Sequence, residues 1–222
     1  MLFSKEVIHR ITTGIILGAV SWFVYMKLPF YVVSAFILFV LGYILVVEWH
    51  RLFPEKKALF WLLTFAYLIP AFIFLVLMNN HPIDRNFLFV LIILISTFDT
   101  GAYVIGSMFG KHKIAPAVSP GKSWEGFVGG YLCAVGGFAF LLWNNGTQLE
   151  WGHILGFTLL VCFLGTMGDL FESWLKRRAQ IKDSGTALPG HGGFLDRFDA
   201  LILTVLFLYC FKDSFIKIFQ IT

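Results

Sequence analysis

The chain has 222 residues, of which 58% are hydrophobic and only 14% are charged, and its mean hydropathy is +0.80. A soluble domain is about half apolar and about a quarter charged, so the composition excludes an ordinary water-soluble protein and indicates a membrane protein. The net charge of +4 requires no nucleic-acid partner, because the cations cluster on segments predicted to face anionic lipid headgroups.

Long charge-free stretches predict membrane helices, because a helix needs about 20 apolar residues to cross the hydrocarbon core. In chain order they are Ile11–Met26, Leu28–Val47, Ala58–Asn80, Asn86–Phe98, Gly126–Leu149, Trp151–Gly168 and Ala200–Phe211. The last is the weakest, since it covers only about 18 Å as a helix. We therefore predict an all-α integral membrane protein, a polytopic helical bundle of about seven transmembrane helices that forms a single membrane domain over residues 1–222.

The lysine and arginine residues predict the orientation, because these residues accumulate on the cytoplasmic side of short loops. With the N-terminus inside, only Lys27, Arg85, Lys212 and Lys217 fall on the outer side. Two cytoplasmic loops, about residues 110–125 and 171–199, then hold most of the polar chemistry. We expect the active site on that side of the membrane.

Two aspartates lie in or beside apolar runs, where ionisable groups are costly and usually mark a site or a pathway. Asp99 interrupts an apolar run and Asp169 ends another. One alternative is that each lies at the interface and is solvated. Another is that the protein is a transporter, which two intramembrane carboxylates alone would also fit.

The second loop combines a carboxylate, a hydroxyl, cations and glycines. If the preceding helix continues past Asp169, then Ser173 and Lys176 follow on the same face, one and two turns on. The Pro-Gly-His-Gly-Gly sequence at 189–193 predicts a tight turn whose backbone N–H groups can approach an anion. His191 in that turn could be an acid–base group, a metal ligand or a hydrogen-bonding partner of the loop.

Asp196 and Asp199 follow three residues apart, so in the first turn of the last helix they share a face. Gathered carboxylates suit Mg²⁺, which takes one or two of them and leaves the rest to water and phosphate oxygens. The cations nearby suit a polyphosphate. The combination predicts phosphoryl or nucleotidyl transfer, which depends on positioning and charge neutralisation. A solvated loop that binds lipid headgroups is the alternative, but it explains neither the acids nor the glycines.

The first loop contains Gly121-Lys122-Ser123, which matches the end of a P-loop. Pro116 stands where the first glycine of that motif belongs, and the flanking segments are membrane helices, so we reject that interpretation. We predict instead that Ser119 or Ser123 caps the next helix, whose free N–H groups would face a phosphate together with Lys122. Four GxxxG patterns lie in the predicted spans and favour close packing of membrane helices: Gly14/Gly18, Gly106/Gly110, Gly126/Gly130 and Gly152/Gly156.

The second loop resembles the signature of the phosphatidate cytidylyltransferase (CDP-diacylglycerol synthase) family. Every fixed position of that pattern is filled, by Ser173, Lys176-Arg177, Lys182-Asp183, Gly185, Pro189-Gly190-His191-Gly192-Gly193, Asp196-Arg197 and Asp199. Two upstream stretches agree as well, Asp99 to Tyr103 and Ser119 to Gly126. The resemblance covers roughly residues 99–222, the catalytic half. In residues 1–98, the N-terminal membrane helices, only the topology and Glu48-Trp49 are similar.

The resemblance implies that CTP and phosphatidate react to give CDP-diacylglycerol and pyrophosphate, with Mg²⁺ as cofactor and a second, monovalent or divalent, cation as an open alternative. It implies catalytic roles for Asp169, Lys176, Arg177, Asp196 and Arg197. It implies substrate-binding roles for Ser119, Lys122, Ser123, Ser173, Lys182, His191, Gly192 and Gly193. The metal ligands would be Asp169, Asp196 and Asp199, with Asp99 in the same polar cavity.

The rival enzymes act on related lipids. A CDP-alcohol phosphatidyltransferase carries Asp-Gly-x-x-Ala-Arg, which does not occur here, whereas a CTP-dependent lipid-alcohol kinase stays an alternative. A transporter would not need acids and cations grouped on one face, and the inverted repeats common in transporters are not evident. We expect a protein of the bacterial cytoplasmic (inner) membrane with its N-terminus inside, with a homodimer as an open alternative.

Overall fold

A computed structural model describes residue 25 and residues 27–53, 58–148, 150–187 and 192–221. Helix α1 (Phe30–Tyr43) continues through a π-helical turn (Ile44–Glu48) into α2 (Trp49–Leu52), and α3 (Ala58–Leu63) continues through a second π-helical turn (Thr64–Leu68) into α4 (Ile69–Asn80). Three long helices follow, α5 (Pro82–Phe109), α6 (Trp124–Asn144) and α7 (Trp151–Arg178). The described chain then forms α8 (Leu195–Leu208), a 3-10 turn (Tyr209–Phe211) and α9 (Lys212–Phe219). Strands β1 (Lys113–Ala115) and β2 (Ser119–Ser123) pair antiparallel in a hairpin between α5 and α6.

Several helices are long and apolar enough to cross a membrane, which confirms the predicted all-α, polytopic membrane class. In the described part of the chain there are five such helices, Phe30–Leu52, Ala58–Asn80, Pro82–Phe109, Trp124–Asn144 and Trp151–Arg178. The predicted segment Ile11–Met26 lies almost entirely outside the described residues, and Ala200–Phe211 begins within α8, which has only 14 residues. The count of about seven transmembrane helices therefore stays a prediction.

Helices α5 and α6 pack with their backbones in close contact. A Cβ atom added at Gly130 would lie 2.5 Å from the carbonyl oxygen of Phe98, and one at Gly126 would lie 2.7 Å from that of Ala102. The GxxxG pattern of Gly126 and Gly130 therefore packs against α5. This contact fixes the hairpin, which joins the two helices, at one end of the bundle.

The pattern of Gly152 and Gly156 in α7 does not pack against a neighbouring helix in this way, because a Cβ atom added at either would have no neighbour within 4 Å among the described residues. The pattern of Gly14 and Gly18 lies outside the described residues.

The outer surface of the bundle is apolar. Phe39, Leu132 and Trp143 are each more than 60% exposed, which suits helices whose outer face meets lipid. At the far end of α5 from the hairpin, Lys212 Nζ lies 2.8 Å from Asp84 Oδ2. The start of α5 and the start of α9, which were both predicted to lie on the outer side of the membrane, therefore meet at the end of the bundle opposite the two polar loops.

Candidate active site

Helix α7 carries a row of polar side chains at its C-terminal end. The helix continues without interruption from Trp151 to Arg178, as predicted, so Asp169, Ser173 and Lys176 lie along one face. Ser173 Oγ donates a hydrogen bond to Asp169 Oδ1 over 3.1 Å. Lys176 and Arg177 lie in the last turn, where the helix dipole favours positive charge.

The hairpin brings the first loop onto this row. Lys122 Nζ lies 2.6 Å from Asp169 Oδ2, and Arg177 Nε donates to the carbonyl oxygen of Val118 over 3.2 Å. Two stretches about 50 residues apart in the sequence therefore meet at one end of the bundle. Ser119, in β2, is partly buried in the same hairpin.

Ser123 is the residue that caps α6. Its side-chain oxygen accepts a hydrogen bond from the Gly126 N–H over 3.2 Å, which confirms one of the two predicted capping residues. A Cβ atom at Gly110 would lie 2.5 Å from the same Ser123 oxygen. The hairpin is therefore closed tightly at its base, and Ser123 is only 3% exposed.

Lys176 connects α7 to the first turn of α8. Its ammonium nitrogen lies 2.7 Å from Asp196 Oδ1 and 3.3 Å from Glu172 Oε1. Asp196 Oδ2 also accepts hydrogen bonds from the backbone N–H and hydroxyl of Ser184 and from the N–H of Gly193. Asp196 is thus held by several donors, and ligation of a metal by this carboxylate would require it to exchange one of them.

The glycine turn before α8 is partly described. Gly192 has a φ of +80°, and a Cβ atom there would lie 2.6 Å from Asp196 Oδ2, so both the backbone conformation and the space require glycine. The Gly193 N–H, predicted to face an anion, donates to Asp196. His191 and the first part of the turn, residues 188–191, lie outside the described residues.

The side chains of Asp99, Arg197 and Lys182, which were also predicted as site residues, are exposed. Asp99 lies within electrostatic range of Lys122, Asp169 and Arg197; its place in a shared polar cavity stays a prediction. No interaction is described for Lys182 that would link it to the rest of the site.

The two carboxylates in the first turn of α8 have opposite electrostatic environments. Burial raises the pKa of Asp196, but the hydrogen bonds from Lys176 and Gly193 outweigh it and hold that pKa below its usual range. Burial and the negative charge of Asp169 raise the pKa of Asp199 above its usual range. Additional positive charge would therefore favour ionised Asp199, which is already ordered by the N–H of Ala200.

The predicted magnesium ligands do not form a complete cage in the described residues. Over the described ranges, no group of three or more His, Cys, Asp or Glu side chains is arranged as a ready metal site. Mg²⁺ needs only one or two carboxylates when phosphate and water supply its other ligands. Asp169 has a side chain that is 31% exposed, and the pKa of Asp199 is raised by burial and by the charge of Asp169; their role as metal ligands stays a prediction.

Sequence reasoning gave no role to Glu48, Glu172 or Ser184. Glu172 is 2% exposed, and neither of its carboxylate oxygens accepts a hydrogen bond from the described residues. Its position four residues before Lys176 was a signal for an ion pair that could have been used. Glu48 and Ser184 gave no such signal, because their partners lie far along the chain or in an irregular loop.

The sequence of this chain matches a known family. Residues 3–215 match the profile described as the cytidylyltransferase family. The chain belongs to the cytidylyltransferase family. Of the residues that carry the resemblance, Lys122, Ser173, Lys176 and Asp196 lie at this end of the bundle, where Asp169 contacts both Lys122 and Ser173 and Lys176 pairs with Asp196.

Relatives with a named activity resemble part of the chain. It is 38% identical over 154 residues to a phosphatidate cytidylyltransferase of Staphylococcus aureus strain COL, an alignment that covers 69% of this chain and 58% of that protein. It is 44% identical over 138 residues to a protein of the same name from Haemophilus influenzae, covering 60% and 48%. The alignments therefore span about half to three fifths of these relatives' lengths.

Proposed function

We propose that this protein is a phosphatidate cytidylyltransferase, which makes CDP-diacylglycerol and pyrophosphate from CTP and phosphatidate. The observation that carries the proposal is the meeting of the hairpin with α7, where Lys122 lies 2.6 Å from Asp169. Cations and carboxylates that converge beside a membrane bundle suit a reaction between a lipid phosphate and a nucleoside triphosphate. The names of the relatives agree with that chemistry.

In the proposed reaction an oxygen of the phosphatidate phosphate attacks the α-phosphorus of CTP. The bond between that phosphorus and the bridging oxygen breaks, and pyrophosphate leaves. Both substrates are anions that repel each other, so positive groups must hold them together. Lys122, Lys176, Arg177 and Arg197 are the candidates for this role, and Ser119 and Ser173 are candidates to donate hydroxyl hydrogen bonds to the phosphates. The predicted substrate contact of Ser123 does not fit its position, because its side chain is buried and caps α6.

The proposed cofactor is Mg²⁺, held by Asp169 and Asp199 and, after exchange of one of its donors, by Asp196. When bound, the ion would neutralise triphosphate charge and align the reacting phosphates. In the structure Lys122 already neutralises Asp169. We infer that this lysine moves from the carboxylate to a phosphate when the nucleotide and ion bind, so that the site keeps a nearly constant charge balance.

The remaining parts of the proposal concern the setting. The substrates would be CTP from the cytoplasm and phosphatidate from the inner leaflet of a bacterial cytoplasmic membrane, with the N-terminus of the chain inside. The distribution of lysine and arginine along the sequence supports this orientation. A homodimer and a second cation stay predictions.

Labelled nucleotides test the proposed reaction directly. Purified protein in mixed micelles with phosphatidate and α-³²P-labelled CTP should transfer label to lipid, whereas γ-³²P-labelled CTP should release it as pyrophosphate. A chelator should abolish both signals and added Mg²⁺ should restore them. Label from the γ position in the lipid would identify a CTP-dependent lipid kinase instead and refute the proposal, as would lack of transfer from either position.

A further inference from the structure

Glu48 is a fully buried residue whose carboxylate accepts hydrogen bonds from the start of α8. Its side chain is 0% exposed. Oε1 accepts a hydrogen bond from the N–H of Phe194 over 2.9 Å, and Oε2 accepts one from the N–H of Leu195 over 2.8 Å. The hydroxyl of Ser184 lies 3.3 Å from Oε2 and 2.9 Å from Asp196 Oδ2, so its single proton is shared between the two carboxylates. Residues more than 130 positions apart in the sequence are therefore tied together by one carboxylate.

These bonds replace a local cap that α8 lacks. The first N–H groups of a helix have no partner within the helix, and a side-chain oxygen usually satisfies one of them. Phe194, at the N-cap of α8, has no side-chain acceptor. Glu48 supplies the acceptors from α1's extension, and its negative charge lies at the helix end that favours anions.

Two signature glycines leave room for this carboxylate. A Cβ atom at Gly185 would lie 2.8 Å from Glu48 Oε1. One at Gly193 would lie 2.6 Å from the same oxygen and 2.3 Å from the hydroxyl of Ser184. Both glycines are therefore required by the position of Glu48, not by a positive φ angle. The loop is built around the Glu48 side chain.

The helix that presents Glu48 is itself specialised. Glu48 ends the π-helical turn Ile44–Glu48, and such turns are frequent at functional sites. Trp49 Nε1 donates to Thr64 Oγ1 over 2.7 Å, which joins this turn to the second π-helical turn. Glu48 therefore belongs to the membrane helices, while its carboxylate reaches the loop.

A side chain that only joined the helices to the loop could be neutral, so the carboxylate of Glu48 needs a further explanation. A buried carboxylate loses its hydration, and this is tolerated only when hydrogen bonds replace the lost water. Here the donors are backbone N–H groups within three residues of Asp196 and the Gly192-Gly193 turn. Glu48 and Asp196 both accept hydrogen bonds from Ser184 and from backbone N–H groups of residues 193–195. The two carboxylates therefore order the same part of the loop.

We propose that Glu48 is a positioning residue for the nucleotide, an inference that rests on the proposed function. It sets the backbone of residues 192–196 before substrate arrives, so that the turn and the first turn of α8 do not have to become ordered when CTP binds. It does not touch the substrate. Its loss therefore weakens CTP binding and leaves the binding of phosphatidate unchanged.

The test compares Glu48→Gln with Trp49→Phe. Glutamine has the same shape as glutamate, but one of its acceptor oxygens is replaced by an NH₂ group that faces a backbone N–H. Trp49→Phe is the control, because it removes the hydrogen bond to Thr64 and none of the hydrogen bonds to the loop. Loss of one charge-assisted hydrogen bond should raise both the Kd and the KM for CTP by about tenfold. Amide hydrogen exchange of a peptide spanning 192–196 should accelerate by about the same factor, whereas the KM for phosphatidate should stay within about twofold of wild type.

The two readouts separate the possible failures. Unchanged hydrogen exchange, or faster exchange with an unchanged Kd for CTP, would overturn the positioning role. A fall in maximal rate that follows the amount of folded protein, with both KM values unchanged, would also overturn it. Equal effects of Glu48→Gln and Trp49→Phe on CTP binding would show general loosening of the helices and would overturn a specific role of Glu48. If wild-type protein binds CTP but makes no CDP-lipid, the proposed reaction fails while exchange and Kd still test Glu48.

Discussion

Replacing Lys176 by methionine removes the charge that compensates two buried carboxylates. Lys176 is 8% exposed and lies 2.7 Å from Asp196 and 3.3 Å from Glu172. Removal of one partner from a buried ion pair costs about 3–5 kcal/mol, because a charge is left without compensation. Asp196 keeps its bonds from Ser184 and Gly193, so we expect the lower end, about 3 kcal/mol.

That loss should be visible as a lower melting temperature. A chain of this size loses about 2–4 °C per kcal/mol, so Lys176→Met should melt roughly 6–12 °C below wild type. The measurement is thermal unfolding of the detergent-purified protein, followed by tryptophan fluorescence. Lys217→Met is the matched control, because Lys217 is exposed and forms no ion pair within the described residues, and its melting temperature should stay close to wild type.

A second substitution distinguishes uncompensated charge from lost packing. In the double variant Lys176→Met, Glu172→Gln, one of the two unpaired carboxylates is neutral, so part of the lost stability should return. If Lys176→Met has the same melting temperature as the Lys217→Met control, the ion pair contributes nothing measurable to stability and the reasoning is refuted. If the double variant is less stable than the single one by the full cost of Glu172→Gln, the two charges do not interact.

Two further predictions concern helix packing and the hairpin. Gly130→Ala should destabilise the bundle, because the added Cβ would lie 2.5 Å from the Phe98 carbonyl oxygen, whereas Gly136→Ala has no atom within 4 Å and should leave the melting temperature unchanged or higher. Lys122→Met should lower kcat/KM for CTP by about 10–100-fold, through loss of a charged contact to phosphate, and the charge-conserving Lys122→Arg should recover part of it. An unchanged kcat/KM for Lys122→Met would exclude that lysine from nucleotide binding.

Periodicity and chemistry in the sequence were sufficient for the local features of the site. The face shared by Asp169, Ser173 and Lys176 follows from the helical repeat, and the hydrogen bond between Asp169 and Ser173 confirms it. The cap at Ser123 was predicted as one of two candidates from residue type alone. Membrane class and the positions of the long helices followed from the absence of charge, because lipid admits few unpaired charges. These properties depend on neighbours within one or two helical turns.

Only the tertiary structure decided which distant groups meet. Lys122 pairs with Asp169 because close packing of α5 and α6 places the hairpin beside α7. The resemblance implied a metal at Asp196, which stays a prediction, and only the fold showed that Lys176, Ser184 and Gly193 donate to this carboxylate. Glu48 was marked in the sequence only by the similarity of Glu48-Trp49 to the family, and no role followed from it, because its partners are backbone N–H groups. Such donors leave no trace in residue identity, and only the folded chain brings them within reach.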